Sequence, residues 1–213
     1  NKILIEQSQH LEKSFSSKPE MFGSEPSHSA KIALENFKKN NVKHIIELGA
    51  GLGRDTIFFA KNSIKVTALD YSPTAVEIIK NKSNSLGLGD LIEVQTHDLR
   101  QKLNFTDNSF DGCYSHMLYC MAFTNFELEN LNNEVCRVLN KDSLNIYTVR
   151  NHSDADYKKG THRGEDIYEM NGYIVHYFSD EKIKKLVKGF KNISIDYFDA
   201  VSYTHLTLPT IGY

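Results

Sequence analysis

The stretch KHIIELGAGLGRDTIFFA, residues 43–60, narrows the choice of fold more than any other part of the chain. An apolar run, HIIEL, stops at Gly49, Gly51 and Gly53, and a second apolar set (Ile57, Phe58, Ala60) resumes at helical spacing. The pattern reads as strand, tight glycine turn and helix. A strand that feeds a helix in this way opens a βαβ crossover, and with it a parallel sheet.

The rest of the sequence repeats that alternation. Periodicity and punctuation predict a helix over 27–40, with Ala30, Ala33, Leu34 and Phe37 on one face, then strand 43–48, helix 53–62 and strand 64–69. Ser72-Pro73 supplies an N-cap and a first-turn proline for a helix running to about Leu86. Strands 91–95 and 110–115, helix 126–139 and strand 143–149 follow, and then an irregular segment 151–171, strand YIVHYF, helix 180–189 and strand 193–198. The expectation is an α/β fold, a doubly wound, Rossmann-like and mostly parallel sheet, in one domain spanning residues 1–200. A chain of 213 residues that is 40% hydrophobic suits a single core.

Charge and cysteine usage exclude several partners. A formal net charge of -2 offers no basic stripe for nucleic acid. No apolar run reaches membrane-spanning length and no signal peptide is evident, so no membrane partner is expected. Cys113, Cys120 and Cys136 lack zinc spacing and read as free core thiols in a reducing, cytoplasmic setting. A monomer or homodimer is expected. The segment VSYTHLTLPTIGY resembles the translation of sequencing-adapter DNA, so residues 201–213 are expected to be a non-native tail and the last strand incomplete; a genuine strand is the alternative, and His205 receives no role.

What the glycine turn holds can be argued by elimination. A phosphate loop needs Gly-Lys-Ser/Thr, whereas Gly53 is followed by Arg54 and Asp55. The dinucleotide fingerprint wants a glycine where Arg54 stands, and Glu47 is a poor neighbour for a pyrophosphate. Asp70, ending VTALD 21 residues after Gly49, is placed to accept ribose hydroxyls. Asp98 in THDL could accept an adenine amino group, although it could also cap a turn. A ligand with a ribose, an adenine and a cationic end but no phosphates is S-adenosylmethionine.

At this point residues 20–200 resemble the class I S-adenosylmethionine-dependent methyltransferases, through ELGAGLG, LDYS, HDL and DNSFDGCYSH. There is a looser similarity to the tellurite-resistance and thiopurine S-methyltransferase-like branch. The resemblance implies a seven-stranded sheet with an antiparallel last strand, Glu47 and Gly49 against the methionine moiety, Asp70 on the ribose and Asp98 near the adenine. The cofactor-binding set is Glu47, Gly49, Ala50, Gly51, Asp70, Tyr71, Asp98, Leu99, Ser115 and Phe22, with residues 1–26 as a lid that brings Met21, Phe22 and Ser27 to the cofactor. The catalytic set is His116, His162 and Arg150, either histidine serving as a general base if the acceptor needs one. Tyr119 is a weaker substrate-side candidate, and Asp111 matches a family position or only shapes a turn.

Residues 151–178 form a substrate-side insertion rich in His, Arg and carboxylates, open to three readings: a charged surface loop, a substrate lid or a metal site. No metal ligand is assigned. The expected activity is methyl transfer to a small molecule, leaning to a thiol or other soft nucleophile. The rivals are a cofactor-binding protein without catalysis and a nicotinamide-dependent reductase.

Overall fold

Five strands build the centre of the fold, of which the first, second and fourth bury almost every residue: β1 (His44–Leu48), β2 (Lys65–Asp70), β3 (Ile92–Thr96), β4 (Phe110–His116) and β5 (Leu139–Thr148). Strands of that kind are covered on both faces, as in parallel sheets, and these five strands pair in parallel in the order β5-β4-β1-β2-β3. The computed structural model describes residues 12, 13, 17, 23–191, 193–200 and 206–212, with backbone alone at 199, 200 and 206–212. Strand β10 (Ser194–Ala200) and strand β11 (Leu206–Gly212) complete a seven-stranded sheet, β11 lying antiparallel between β5 and β10.

The helices start where the sequence supplies caps. Ser27 caps α1 (His28–Lys39), Ser72 followed by Pro73 opens α3 (Pro73–Ser85), Thr124 and Glu127 form a capping box for α4 (Asn125–Val138), and Ser179 caps α5 (Asp180–Leu186). Helix α2 (Arg54–Lys61) starts from the glycine turn with no side-chain cap. Apolar residues of α1, α2 and α3, among them Phe37, Phe59 and Ile79, pack on one face of the sheet. Those of α4 and α5, among them Leu128, Val135 and Ile183, pack on the other. The chain runs from β1 outward to β2 and β3, then crosses back to β4 on the other side of β1. A sheet of this order places its ligand crevice at the carboxyl ends of β1 and β4.

The structure departs from the expected elements in two places. Strand β5 begins at Leu139, not at residue 143, because the chain leaves α4 directly in an extended conformation and Leu139 pairs with Phe110 across a bulge. The segment expected to be irregular contains β6 (Arg150–Asn151), β7 (Thr161–Gly164) and β8 (Ile167–Met170), which join β9 (Tyr173–Phe178) in a second sheet ordered β6-β9-β8-β7. Its hairpin turns at Glu165 and Asp166, both left-handed (φ 55° and 64°). Two consecutive left-handed residues make a tight hairpin, but this one lacks the Asn-Gly signature that would reveal it. Asp111 shapes strand starts at the opposite end of the sheet from the crevice, accepting from the Lys43 and His44 amides (3.2 and 3.0 Å) and from Asn140 (3.0 Å).

Candidate active site

Beyond β1 the chain is tied to the tip of β2: the amides of Gly49 and Ala50 both reach the Leu69 carbonyl, at 2.8 and 3.1 Å. Gly49 (φ 71°) and Gly53 (φ 77°) are left-handed. A Cβ on Gly53 would stand 2.6 Å from Ile79 Cγ1, and one on Gly49 2.9 Å from Leu118 Cδ1, so a side chain is disfavoured twice over at each position. The turn thereby brings Ala50 and Gly51, and the uncapped positive end of α2, to the crevice.

Two buried carboxyl groups face this turn. Glu47 receives the Thr56 hydroxyl at 2.5 Å, and burial pushes its pKa up to about 8. Asp70 accepts the amides of Gly51 (2.8 Å) and Ser72 (2.9 Å), and burial raises it to about 6. A carboxylate has roughly four lone-pair positions, so each acid keeps capacity for a ligand. Tyr71, next in sequence, is partly buried and its hydroxyl pKa is driven upward by burial. Glu12 stands at the start of α3, accepting from the hydroxyls of Ser72 and Thr74.

The other cofactor candidates divide. Asp98 lies just past β3, where it accepts the Arg100 amide (3.1 Å) and pairs with the Arg100 guanidinium (2.9 and 3.0 Å). Burial works against its charge, yet these bonds hold its pKa below the usual value. Leu99 is buried in the core. Ser115 is fully buried and donates to the Leu48 carbonyl (3.1 Å), stitching β4 to β1. Phe22 and Met21 lie outside the described residues. Ser27 donates its amide and hydroxyl to Asp55, at 2.8 and 2.6 Å.

His116 ends β4 beside a polar network that sequence reading missed. Its Nδ1 lies 3.0 Å from the Ser29 hydroxyl and 2.9 Å from that of Thr148. Ser29 continues to Tyr114 (2.9 Å), which donates to Asp55 (3.0 Å). Burial drives the His116 pKa down to about 4; nearby Asp55 works upward and Arg54 downward. One signal was available: Asp55 and Thr56 share the buried face of α2 with Phe59, so a charged residue occupies a core position. Ser29, Tyr114 and Thr148 carried none, since their meeting depends on three distant elements.

The second sheet flanks the carboxyl end of β5. Arg150 forms a two-pronged pair with Asp154 (2.8 and 2.9 Å) and reaches Asp156 at 3.4 Å, and its guanidinium lies over the Tyr177 ring. Arg150, Asp156, Lys159, Tyr168, Tyr173 and Tyr177 are among the residues around a cavity of about 220 Å³. His162 is exposed on β7 and stacks on Tyr168. It stands three strands from Arg150, roughly 14 Å at ordinary strand spacing, so these two candidates are not brought together. His176 is fully buried: its Nδ1 meets the Phe123 carbonyl at 2.7 Å, Lys182 Nζ lies 2.8 Å from its Nε2, and its amide bonds Cys120. Burial and Lys182 lower its pKa to about 4, so it clamps this sheet to the loop after β4 as a neutral ring. Tyr119 packs in the core against Tyr147. Among the described residues, no group of three or more His, Cys, Asp or Glu side chains is placed to hold a metal ion, and no helix is long and apolar enough to cross a membrane.

A Rossmann-like sheet with a glycine turn after β1 and acids at the tips of β1 and β2 defines the class I methyltransferase fold. Residues 45–142 match the family profile described as a methyltransferase domain. The chain is 28% identical over 96 residues to the sterol 4-C-methyltransferase strm-1 of Caenorhabditis elegans, a match covering 45% of this chain and 28% of that protein. Its fold is similar to a SAM-dependent methyltransferase from Methanosarcina mazei (17% identity, TM-score 0.65, 79% of this chain and 91% of the other). It is also similar to an S-adenosylmethionine-dependent methyltransferase from Clostridium acetobutylicum (16% identity, TM-score 0.66, 85% and 89%). The chain thus has the class I methyltransferase fold, residues 45–142 match the methyltransferase-domain profile, and the chain spans about 28% of the curated relative's length.

Proposed function

We propose that this protein transfers a methyl group to a small-molecule acceptor, with a thiol or another soft nucleophile as the preferred class. The observation that carries the cofactor side is the pair of buried acids: Glu47 and Asp70 have pKa values raised to about 8 and about 6 with no cation among the partners that hold them. Such groups favour a ligand that brings positive charge and hydroxyl donors, and they repel a pyrophosphate. When bound, S-adenosylmethionine supplies a methyl group on a positively charged sulfur. Asp70 would hold the ribose, Glu47 would face the cationic end, and the glycine turn would lie against the ligand with nothing projecting between.

The preference for a soft nucleophile rests on the weakness of the bases near the crevice. His116 and His176 are both driven to about 4, and His162 lies on the outer hairpin. A nucleophile already ionised at neutral pH needs no strong base. The acceptor would enter between the loop after β4 and the second sheet, with Arg150 on that side.

Calorimetric titration with S-adenosylmethionine, S-adenosylhomocysteine and NADH tests this reading, with Asp70→Ala as control. Binding of the first two that collapses in the variant is expected. Binding of NADH alone would overturn it, and binding without turnover on thiols and other acceptors would leave a cofactor-binding protein.

A further inference from the structure

The hydroxyl network at the end of β4 allows each proton to be placed, and the placement determines what His116 offers a ligand. Asp55 accepts the hydroxyls of Ser27 (2.6 Å) and Tyr114 (3.0 Å). An ionised carboxylate only accepts, so the single hydroxyl proton of Tyr114 points to Asp55 and its oxygen is left to accept from Ser29 at 2.9 Å. The Ser29 proton has Tyr114, the Ser27 oxygen at 3.0 Å and Nδ1 of His116 at 3.0 Å within reach, so Ser29 does not by itself fix the ring. Thr148 remains. It is fully buried, and its oxygen already accepts the Met117 amide at 3.0 Å. Among the described residues the acceptor within reach of its proton is Nδ1 of His116, at 2.9 Å. A buried hydroxyl proton without an acceptor is costly. In the arrangement that satisfies every hydroxyl, Nδ1 is a bare acceptor and the ring proton sits on Nε2. That atom makes no hydrogen bond with any described residue.

We infer that His116 acts as a hydrogen-bond donor through Nε2–H, held in that tautomer by Thr148 as a positioning residue, and that the atom it meets belongs to an anionic acceptor. This departs from a general-base role. Resting on the methyl-transfer reading above, it narrows the acceptor to one whose nucleophile has already lost its proton at neutral pH, an acidic thiol of the aromatic kind, since an ordinary thiol (pKa about 8.5), an alcohol or a phenol would find no proton acceptor at this ring. Burial keeps the ring neutral; of the charged groups nearest it, Asp55 works against this and Arg54 with it.

The test is nitrogen-15 NMR of the full chain labelled at histidine, with His116→Phe used to assign the signal. A neutral ring protonated at Nε2 is expected from pH 5.5 to 8.5; protonation at Nδ1, or a charged ring within that range, would overturn the inference. Thr148→Val should mix the tautomers and Thr148→Ser should restore one, whereas an unchanged tautomer in the valine variant would remove the positioning role. Adding 4-nitrothiophenolate to the protein saturated with S-adenosylhomocysteine should shift the Nε2–H signal. A shift with S-adenosylhomocysteine alone, and none on adding the thiolate, would reassign the donor to the cofactor and overturn the acceptor claim. If S-adenosylhomocysteine moves no signal in the protein, the methyltransferase reading fails while the tautomer result stands by itself.

Discussion

The tips of β1 and β2 and the second sheet beside β5 both concentrate charge, but they use it in opposite ways. At the strand tips, Glu47 and Asp70 are buried with hydroxyl and amide partners alone, and both pKa values are raised. Around the second sheet charges meet their opposites: Arg150 with Asp154 and Asp156, Lys182 of α5 with Asp166, Arg163 with Glu169. Burying an unpaired acid is costly to a fold whether it keeps its charge or, like Glu47, takes up a proton, and such acids cluster where a ligand completes them. Balanced charge shapes and stiffens. The first region is thus the one that the proposed cationic ligand would complete, and the second is closed by its own ion pairs.

If the second sheet is a wall, breaking its best-buried pair should cost stability and leave cofactor affinity alone. The Asp154 side chain is fully buried and that of Arg150 nearly so. Asp154→Ala removes the two-pronged partner and leaves the guanidinium only Asp156, at 3.4 Å, so it should destabilise the protein by about 3 kcal/mol, a fall of roughly 10 °C in Tm. Affinity for S-adenosylhomocysteine, measured well below the new Tm, should stay within about twofold. A large loss of affinity at modest cost in Tm would break the comparison.

The converse holds at the strand tips. Asp70→Ala removes the charged acceptor offered to the ribose hydroxyls, and two charge-assisted bonds are together worth about 3 kcal/mol, or roughly 100-fold in Kd. Calorimetry checks the affinity and a thermal scan the stability, which should change far less than in Asp154→Ala. Equal damage to both would mean that Asp70 serves mainly to tie Gly51 and Ser72 in place.

How much of this was legible in the sequence follows the same division. The glycine turn, Glu47 and Asp70 lie within a few residues of one strand end each, so local spacing placed them. The order of elements was readable for the same reason, since the central strands carry short apolar runs and most helices announce their caps. The network of Asp55, Tyr114, Ser29 and Thr148 around His116 was not, because its links join positions 32 to 87 residues apart, with only Asp55 hinting at itself as a charge on an apolar helix face. Hairpin β7–β8 escaped because Glu165 and Asp166 adopt left-handed turns without glycine or asparagine. Asp98 was placed correctly at the end of β3, but its pairing with Arg100, two residues on, was not foreseen.

Glu47 sharpens the comparison through pH. Its folded pKa, about 8, lies above its ordinary value of 4.5, so between these limits the native state holds a proton that the unfolded chain has released. Stability must then fall as pH rises across that window, and Glu47→Gln should flatten the trend in Tm. A cationic ligand favours the ionised acid, so S-adenosylmethionine should bind more tightly as pH rises from 7 toward 8, by up to about tenfold per pH unit, with proton release detectable in buffers of different ionisation enthalpy. The ligand's own amino group loses charge near pH 8 and opposes this above that point, which is why the difference between wild type and Glu47→Gln carries the result. An identical pH profile in both would show that Glu47 is not the group facing the cation.

The smallest expected effect lies in the wall. Tyr157 stacks on His152, packs against Tyr168 and Tyr177, and donates its hydroxyl to Asp166 at 2.9 Å. Asp166 in turn receives Lys182, whose ammonium also meets the buried ring of His176. Tyr157→Phe keeps the ring and removes one hydrogen bond, which should cost about 1 kcal/mol and lower Tm by roughly 2 to 4 °C. Because Lys182 still neutralises Asp166, no charge is stranded, and the loss should stay well below that of Asp154→Ala. A loss as large as that one would mean that the Tyr157 hydroxyl is what keeps Asp166 and Lys182 in register with His176, so that the wall is held through one phenol and not through its ion pairs.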